Sequence, residues 1–145
     1  MTPRVGVLAI QGDIEAHAEA LRRLGAEPQL VLVASDLTSL EALVIPGGES
    51  TTMSKGLDRL GLWDALRDFA AAGRPILGTC AGAILLARHV ENHPVGTLGS
   101  VDIKAQRNAY GTQVDSFATC ADPGASEGLE GLRCVFIRAP RLRDP

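Results

Sequence analysis

Arg74-Pro75-Ile76-Leu77-Gly78-Thr79-Cys80-Ala81-Gly82 is the stretch that decides how the 145-residue chain is read. An apolar run enters G-x-C-x-G, and the helix-forming residues Ala83 to Arg88 follow. Strand, pinched turn and helix in that order spell a nucleophile elbow, the thiol counterpart of G-x-S-x-G. Glycines two positions either side of Cys80 remove side chains that would collide in so sharp a bend. The turn sets the sulfur at a helix N-terminus, where backbone N–H groups and the helix dipole favour a thiolate. The N–H of Ala81 is then one candidate oxyanion donor. Most cysteines are buried and inert; the flanking glycines turn the reading of Cys80 toward a nucleophile.

Working back toward the N-terminus, Arg4 to Ile10 reads as a buried parallel-sheet strand, and Gln11-Gly12-Asp13 breaks it. Asp13 caps a helix with Ile14, His17, Leu21 and Leu24 on one face, ended by Gly25. Gln29 to Ala34 and Ala42 to Ile45 are further strands, with one turn of helix in the connector Ser35 to Leu40. Two helices follow, through Leu57 and Leu60 and from Leu62 to Ala72. Past the elbow, Val90 to Gly99 reads as a loop. Val101 to Gln106 and Val114 to Cys120 are expected to pair as an antiparallel edge excursion. Ala121 to Gly131 is a polar loop, and Arg133 to Ile137 a last strand. The alternation predicts an α/β fold, flavodoxin-like and doubly wound, with a mostly parallel sheet in one domain.

In such sheets ligands bind beyond the carboxyl ends of the strands. The loop Pro46-Gly47-Gly48-Glu49-Ser50 is therefore expected to face the turn at Cys80. Adjacent glycines let backbone N–H groups approach an anion closely. Glu49 is suited to a substrate ammonium or to capping the next helix, and Ser50 to either. The loop lacks G-x-x-x-x-G-K-[ST], and Gly6 to Gly12 does not match G-x-G-x-x-G, so nucleotide binding is disfavoured.

Bulk properties narrow the class further. With 46% apolar residues and a net charge of −3, the chain shows no sign of a nucleic-acid groove or membrane surface. Aromatic residues, at 3%, are too few for base stacking. No run is long enough to span a bilayer, and the residues before Arg4 do not read as a signal peptide, so a cytoplasmic location is expected. Cys80, Cys120 and Cys134 fit neither a zinc site nor a disulfide framework, and Cys120 and Cys134 read as packing residues. No metal or cofactor is called for.

Several segments together resemble a known family. They are Leu8 to Asp13, Pro46 to Thr52, Gly78 to Gly82, Arg107-Asn108, Gly111, Gln113 to Phe117 and Phe136 to Pro140. They are similar to the glutaminase subunits of pyridoxal 5′-phosphate synthase, within the triad (class I) glutamine amidotransferases, and the likeness runs along essentially the whole chain. It implies hydrolysis of L-glutamine to glutamate and ammonia through a thioester on Cys80. Gly48 and Ala81 would supply oxyanion N–H groups. Gly48, Glu49, Ser50, Arg107, Ile137 and Arg138 would hold glutamine. Gln11 would lie where the partner, a (β/α)8 barrel synthase subunit, meets the oxyanion site.

A thiolate nucleophile also needs a base to move the amide proton. The family supplies it from a His and a Glu in an H-P-E segment near the C-terminus, which these 145 residues do not contain. His89, nine residues along the expected helix, would lie about 13 Å from Cys80. His93-Pro94 lacks the acid, and His17 reads as packed or solvated on the first helix. The expectation is a shortened or degenerate member of the family, inactive or weakly active as it stands.

Overall fold

The structure is a computed structural model describing residues 1–122, 124 and 128–145. Strands β1 (Arg4–Leu8), β2 (Glu27–Val31), β3 (Ala42–Ile45) and β4 (Ile76–Gly78) form a parallel sheet in the order β2-β1-β3-β4. Val7 lies opposite both Leu30 and Val44, and Val44 lies opposite Leu77, so the register is continuous across the sheet. The order is that of a flavodoxin-like sheet, whose direction of winding reverses between β1 and β3. Loops after those strands therefore diverge and leave a crevice at their carboxyl ends.

Helices α1 (Ile14–Arg23), α2 (Ser50–Leu60), α3 (Trp63–Ala71) and α4 (Ala81–Leu86) complete the layers. Met53 and Leu57 of α2, Leu66 and Phe69 of α3 and Leu85 of α4 are buried with Leu8, Val31, Leu43 and Ile45 of the strands. These residues recur at helical spacing on α2 and α3 and at alternate positions on β3, which is why the sequence pattern shows them. Helix α1 packs on β1 and β2 with Ala18 buried. Asp13 caps it by accepting the N–H of Ala16 at 3.2 Å. Leu24, expected inward, is the C-cap residue and stands 83% exposed.

Some boundaries move for local reasons. Strand β1 ends at Leu8 rather than Ile10, and β2 ends at Val31 rather than Ala34. The Asp36 carboxylate accepts the N–H groups of Leu32 and Val33 and draws the chain into a 3-10 turn at Ala34–Leu37. Those two bonds hold the Asp36 carboxyl below its usual range.

Beyond the elbow the reading needs three corrections. Helix α4 begins two residues early and stops at Leu86, and β5 (Ala87–Glu91) replaces both the helix end and the start of the expected loop. His89 therefore sits exposed on a strand, and a distance counted along a helix does not apply to it. Strand β6 (Val101–Gln106) pairs in parallel with β5, and in antiparallel fashion with β9 (Arg141–Arg143), a strand the sequence did not suggest. The expected pairing of Val101–Gln106 with Val114–Cys120 does not form. Instead β7 (Phe117–Cys120) pairs antiparallel with β8 (Arg133–Phe136) as a separate ribbon. The connection turns at Asn108, whose φ is +51°, and at a 3-10 turn over Gln113–Asp115. There the Asp115 carboxylate accepts from the Thr112 N–H and hydroxyl. An antiparallel excursion thus exists, but with other partners.

Cys120, expected to pack, is exposed, and Cys134 is half-buried. Of the expected loop Ala121 to Gly131, residues 123 and 125–127 lie outside the described residues. No helix of the described residues is long and apolar enough to cross a membrane.

Candidate active site

Cys80 is the hinge between β4 and α4, with φ 49° and ψ −107°. A side chain holds such a conformation only when its surroundings impose it, at a cost of about 1–3 kcal/mol. The surroundings here are backbone. The Thr79 N–H donates to Ile45 O of β3 at 3.1 Å, and Gly82 N–H donates to Thr79 O at 2.8 Å. A Cβ on Gly82 would come within 2.0 Å of Ile45 O, and one on Gly78 within 2.6 Å of the Gly82 backbone. Both glycines of G-x-C-x-G are thus close-approach positions, and the packing they permit leaves Cys80 exposed rather than in the core.

The loop after β3 meets this turn. A Cβ on Gly47 would lie 3.2 Å from Cys80 Cβ, which sets the Gly47-Gly48 backbone beside Cys80. Among the described residues neither Gly48 nor Ala81 has its N–H in a hydrogen bond. The next N–H, that of Glu49, donates to Gln11 Oε1 at 2.9 Å. Gln11 therefore braces the glycine loop from behind. Gly12, at φ +99°, brings the chain so close that its Cβ would fall 1.8 Å from Gly47 O.

Glu49 caps α2. Its Oε1 accepts the Thr51 N–H at 3.0 Å and Oε2 the Thr52 N–H at 2.8 Å, at the N-terminus of α2. Arg107 Nη2 adds an ion pair to Oε1 at 3.1 Å. Burial pushes this carboxyl up, but the bonds from the Thr51 and Thr52 N–H groups and hydroxyls outweigh it and hold the pKa at about 2. Glu49 is hence ionised throughout the neutral range. Its folded pKa lies below the usual 4.5, so its stabilisation is complete above pH 4.5 and lost as pH falls toward 2. The side chain is 41% exposed, and solvent screening limits the contribution to about 1 kcal/mol. Glu49→Gln is expected to lose about that much at pH 7. The gap from wild type should narrow as pH is lowered from 4.5, which urea unfolding at a series of pH values measures.

Arg107 is itself 11% exposed at the side chain and reaches Thr51 Oγ1 at 3.1 Å and His93 O at 2.8 Å. Three of its five N–H donors are used, and two remain for a ligand. Opposite it the chain leaves β8 through Ile137 and Arg138, the latter at φ +45°. Arg138 is exposed, with no hydrogen bond or ion pair recorded to any described residue. These parts enclose a cleft of about 1060 Å³. Its walls include Gly48, Glu49, Ser50, Cys80, Arg107, Ile137 and Arg138. Ala81 is buried beside the turn, and Gln11 stands behind the loop.

The sequence reading missed His17. It lines the same cleft, with Nδ1 2.8 Å from Asp13 O and Nε2 3.2 Å from Thr79 Oγ1. Its i+4 spacing from Asp13 was visible; its partner, 62 residues away, was not. Neither His89 nor His93 lines the cleft, and among the described residues no group of His, Cys, Asp and Glu is arranged to hold a metal.

The SNO glutamine amidotransferase family model matches residues 7–144. The chain belongs to this glutamine amidotransferase family. It is 54% identical to the pyridoxal 5′-phosphate synthase subunit PdxT of Acidothermus cellulolyticus, across 98% of this chain and 69% of that relative. The subunit of the same name from Kosmotoga olearia is 48% identical, across 94% of this chain and 71% of its own length. A crystal structure of a glutamine amidotransferase, 45% identical, superposes with a TM-score of 0.86 over 96% of this chain and 73% of that one. The structure of PurLQS from Thermotoga maritima, at 19% identity and a TM-score of 0.63, shares the fold only. Family membership makes the chain a glutaminase-type hydrolase.

Proposed function

We propose that this chain is the glutaminase subunit of a pyridoxal 5′-phosphate synthase, releasing ammonia from L-glutamine for a (β/α)8 barrel synthase subunit. The observation that carries the reading is the strained, exposed Cys80 beside a glycine loop, in one cleft with Arg107 and Arg138. The Cys80 thiolate attacks the side-chain amide carbon, a C–S bond forms, and the carbonyl electron pair moves onto oxygen. The N–H groups of Gly48 and Ala81 receive that oxyanion. As the C=O bond re-forms the C–N bond breaks, the leaving nitrogen takes a proton from solvent and departs as ammonia, and a glutamyl thioester remains. Water then adds to the thioester carbon, the C–S bond breaks, and glutamate and the Cys80 thiolate result, with the two protons of that water returned to solvent.

Substrate selection follows from charge. Arg138 and the unused N–H groups of Arg107 suit the α-carboxylate, the ionised Glu49 suits the α-ammonium, and Ser50 and Ile137 line the stem of the ligand. Gln11, which braces the oxyanion loop, is the residue through which contact with the synthase would reach the site.

A chloroketone analogue of glutamine, with CH2Cl in place of the amide NH2, tests the assignment. The sulfur displaces chloride, and peptide mass mapping is expected to find one adduct, on Cys80, suppressed by excess L-glutamine. Adducts on Cys120 or Cys134 instead, or no protection by glutamine, would refute it. No histidine of the described residues hydrogen-bonds the Cys80 sulfur, and a general base so placed contributes about 10²–10⁴ in rate. Ammonia release by these 145 residues is accordingly expected to fall at least about 100-fold below that of the Acidothermus relative, each assayed with a synthase partner.

A further inference from the structure

We propose that His17 is a positioning residue for Cys80, acting through the hydroxyl of Thr79; the inference rests on the glutaminase reading above and deepens it. The hydrogen-bond directions follow from the partners. Asp13 O only accepts, so the His17 Nδ1 beside it at 2.8 Å carries the proton. In the neutral ring Nε2 then accepts, and the Thr79 hydroxyl 3.2 Å away is its donor. His17 is thereby fixed at both nitrogens, and it ties α1 to the residue immediately before the nucleophile.

What this tie does follows from the strain at Cys80. A backbone at φ 49° persists only if its neighbours over-determine it. Ile45 O holds Thr79 from β3, and Gly82 N–H holds it from α4. The His17 bond supplies the third direction, from the side of the cleft. The same short segment also grips the other half of the site, because Gln11 binds the Glu49 N–H and Gly12 abuts Gly47. Residues 11–17 thus set the spacing between the sulfur and the oxyanion loop. His17 governs the sulfur side of it.

The test compares two alkylating reagents on the same chain. Iodoacetamide needs only an accessible thiolate, whereas the chloroketone analogue of glutamine also needs the sulfur in register with the glycine loop. His17→Leu and Thr79→Val are each expected to slow chloroketone labelling about tenfold while changing the iodoacetamide rate less than twofold. The double variant should be no slower than His17→Leu alone, since both substitutions break the same His17–Thr79 bond. His17→Gln, which retains an acceptor and a donor, and Thr79→Ser, which retains the hydroxyl, should restore the wild-type rate. Melting curves establish that each variant is folded. An unchanged chloroketone rate in folded His17→Leu overturns the inference alone, as does an equal loss with both reagents or a failure of His17→Gln to restore the rate. Absence of chloroketone labelling in the wild type, with iodoacetamide still reacting, overturns the glutaminase reading and this inference with it.

Discussion

Cys80→Gly is expected to abolish labelling by the glutamine chloroketone and, at the same time, to raise the melting temperature. Loss of the sulfur removes the only atom proposed to form the covalent bond. The gain in stability has a separate origin. At φ 49° and ψ −107° a cysteine stores about 1–3 kcal/mol that glycine does not. Glycine gives back roughly 0.5–1 kcal/mol through its freer unfolded chain. The net is about 1 kcal/mol, or roughly 2–4 °C for a chain of this size. Calorimetry beside the labelling assay reads both effects. A variant that loses the adduct and also melts lower would mean that Cys80 is a packing residue, held without strain.

Gly82→Ala is expected to do the opposite to stability and the same to labelling. The added Cβ would lie 2.0 Å from Ile45 O and 2.9 Å from its carbonyl carbon, both main-chain atoms of β3. No side-chain rotation relieves that contact, so α4 must move off the sheet and take the elbow with it. The cost is about 3 kcal/mol, at the upper end for inserting a methyl group into packed structure. A drop of roughly 6–12 °C should accompany it. Gly61→Ala is the control: at φ +63° with no atom within 4 Å, it carries backbone strain but no collision, and only about 1 kcal/mol is expected. Equal melting temperatures for the two variants would dissociate Gly82 from the support of the elbow.

The elbow was legible because its signal is local. Gly78, Cys80 and Gly82 lie within five residues, and each glycine answers a contact made by the turn itself. The β-α alternation and the rule for strand ends together brought the Gly47-Gly48 loop to the same crevice. Strand β5 was not legible, since Ala87-Arg88-His89-Val90-Glu91 follows α4 with no glycine or proline to mark the break. The β6–β7 hairpin was the natural reading of two nearby strands. It fails because Arg107 is held at the cleft by Glu49, Thr51 and His93 O, and because the chain turns at Asn108. Charged, three-residue β9 offers no apolar pattern at all. For Glu49 the sequence left both roles open; the cap rests on the positions of Thr51 and Thr52 and the ion pair on that of Arg107, which no local pattern gives.

The ribbon of β7 and β8 carries a further consequence. It has its own two-stranded ladder, closed over by Phe117 stacked on Phe136 at 4.7 Å with the ring of Tyr110 edge-on to both. A pair of strands is a marginal unit in water, whereas the sulfur is anchored to the main sheet. The two banks of the cleft therefore belong to different tiers of the opening hierarchy, one yielding at small free energy and the other only with the whole molecule. A ligand entering there meets a fixed shore at Cys80 and a wall that breathes.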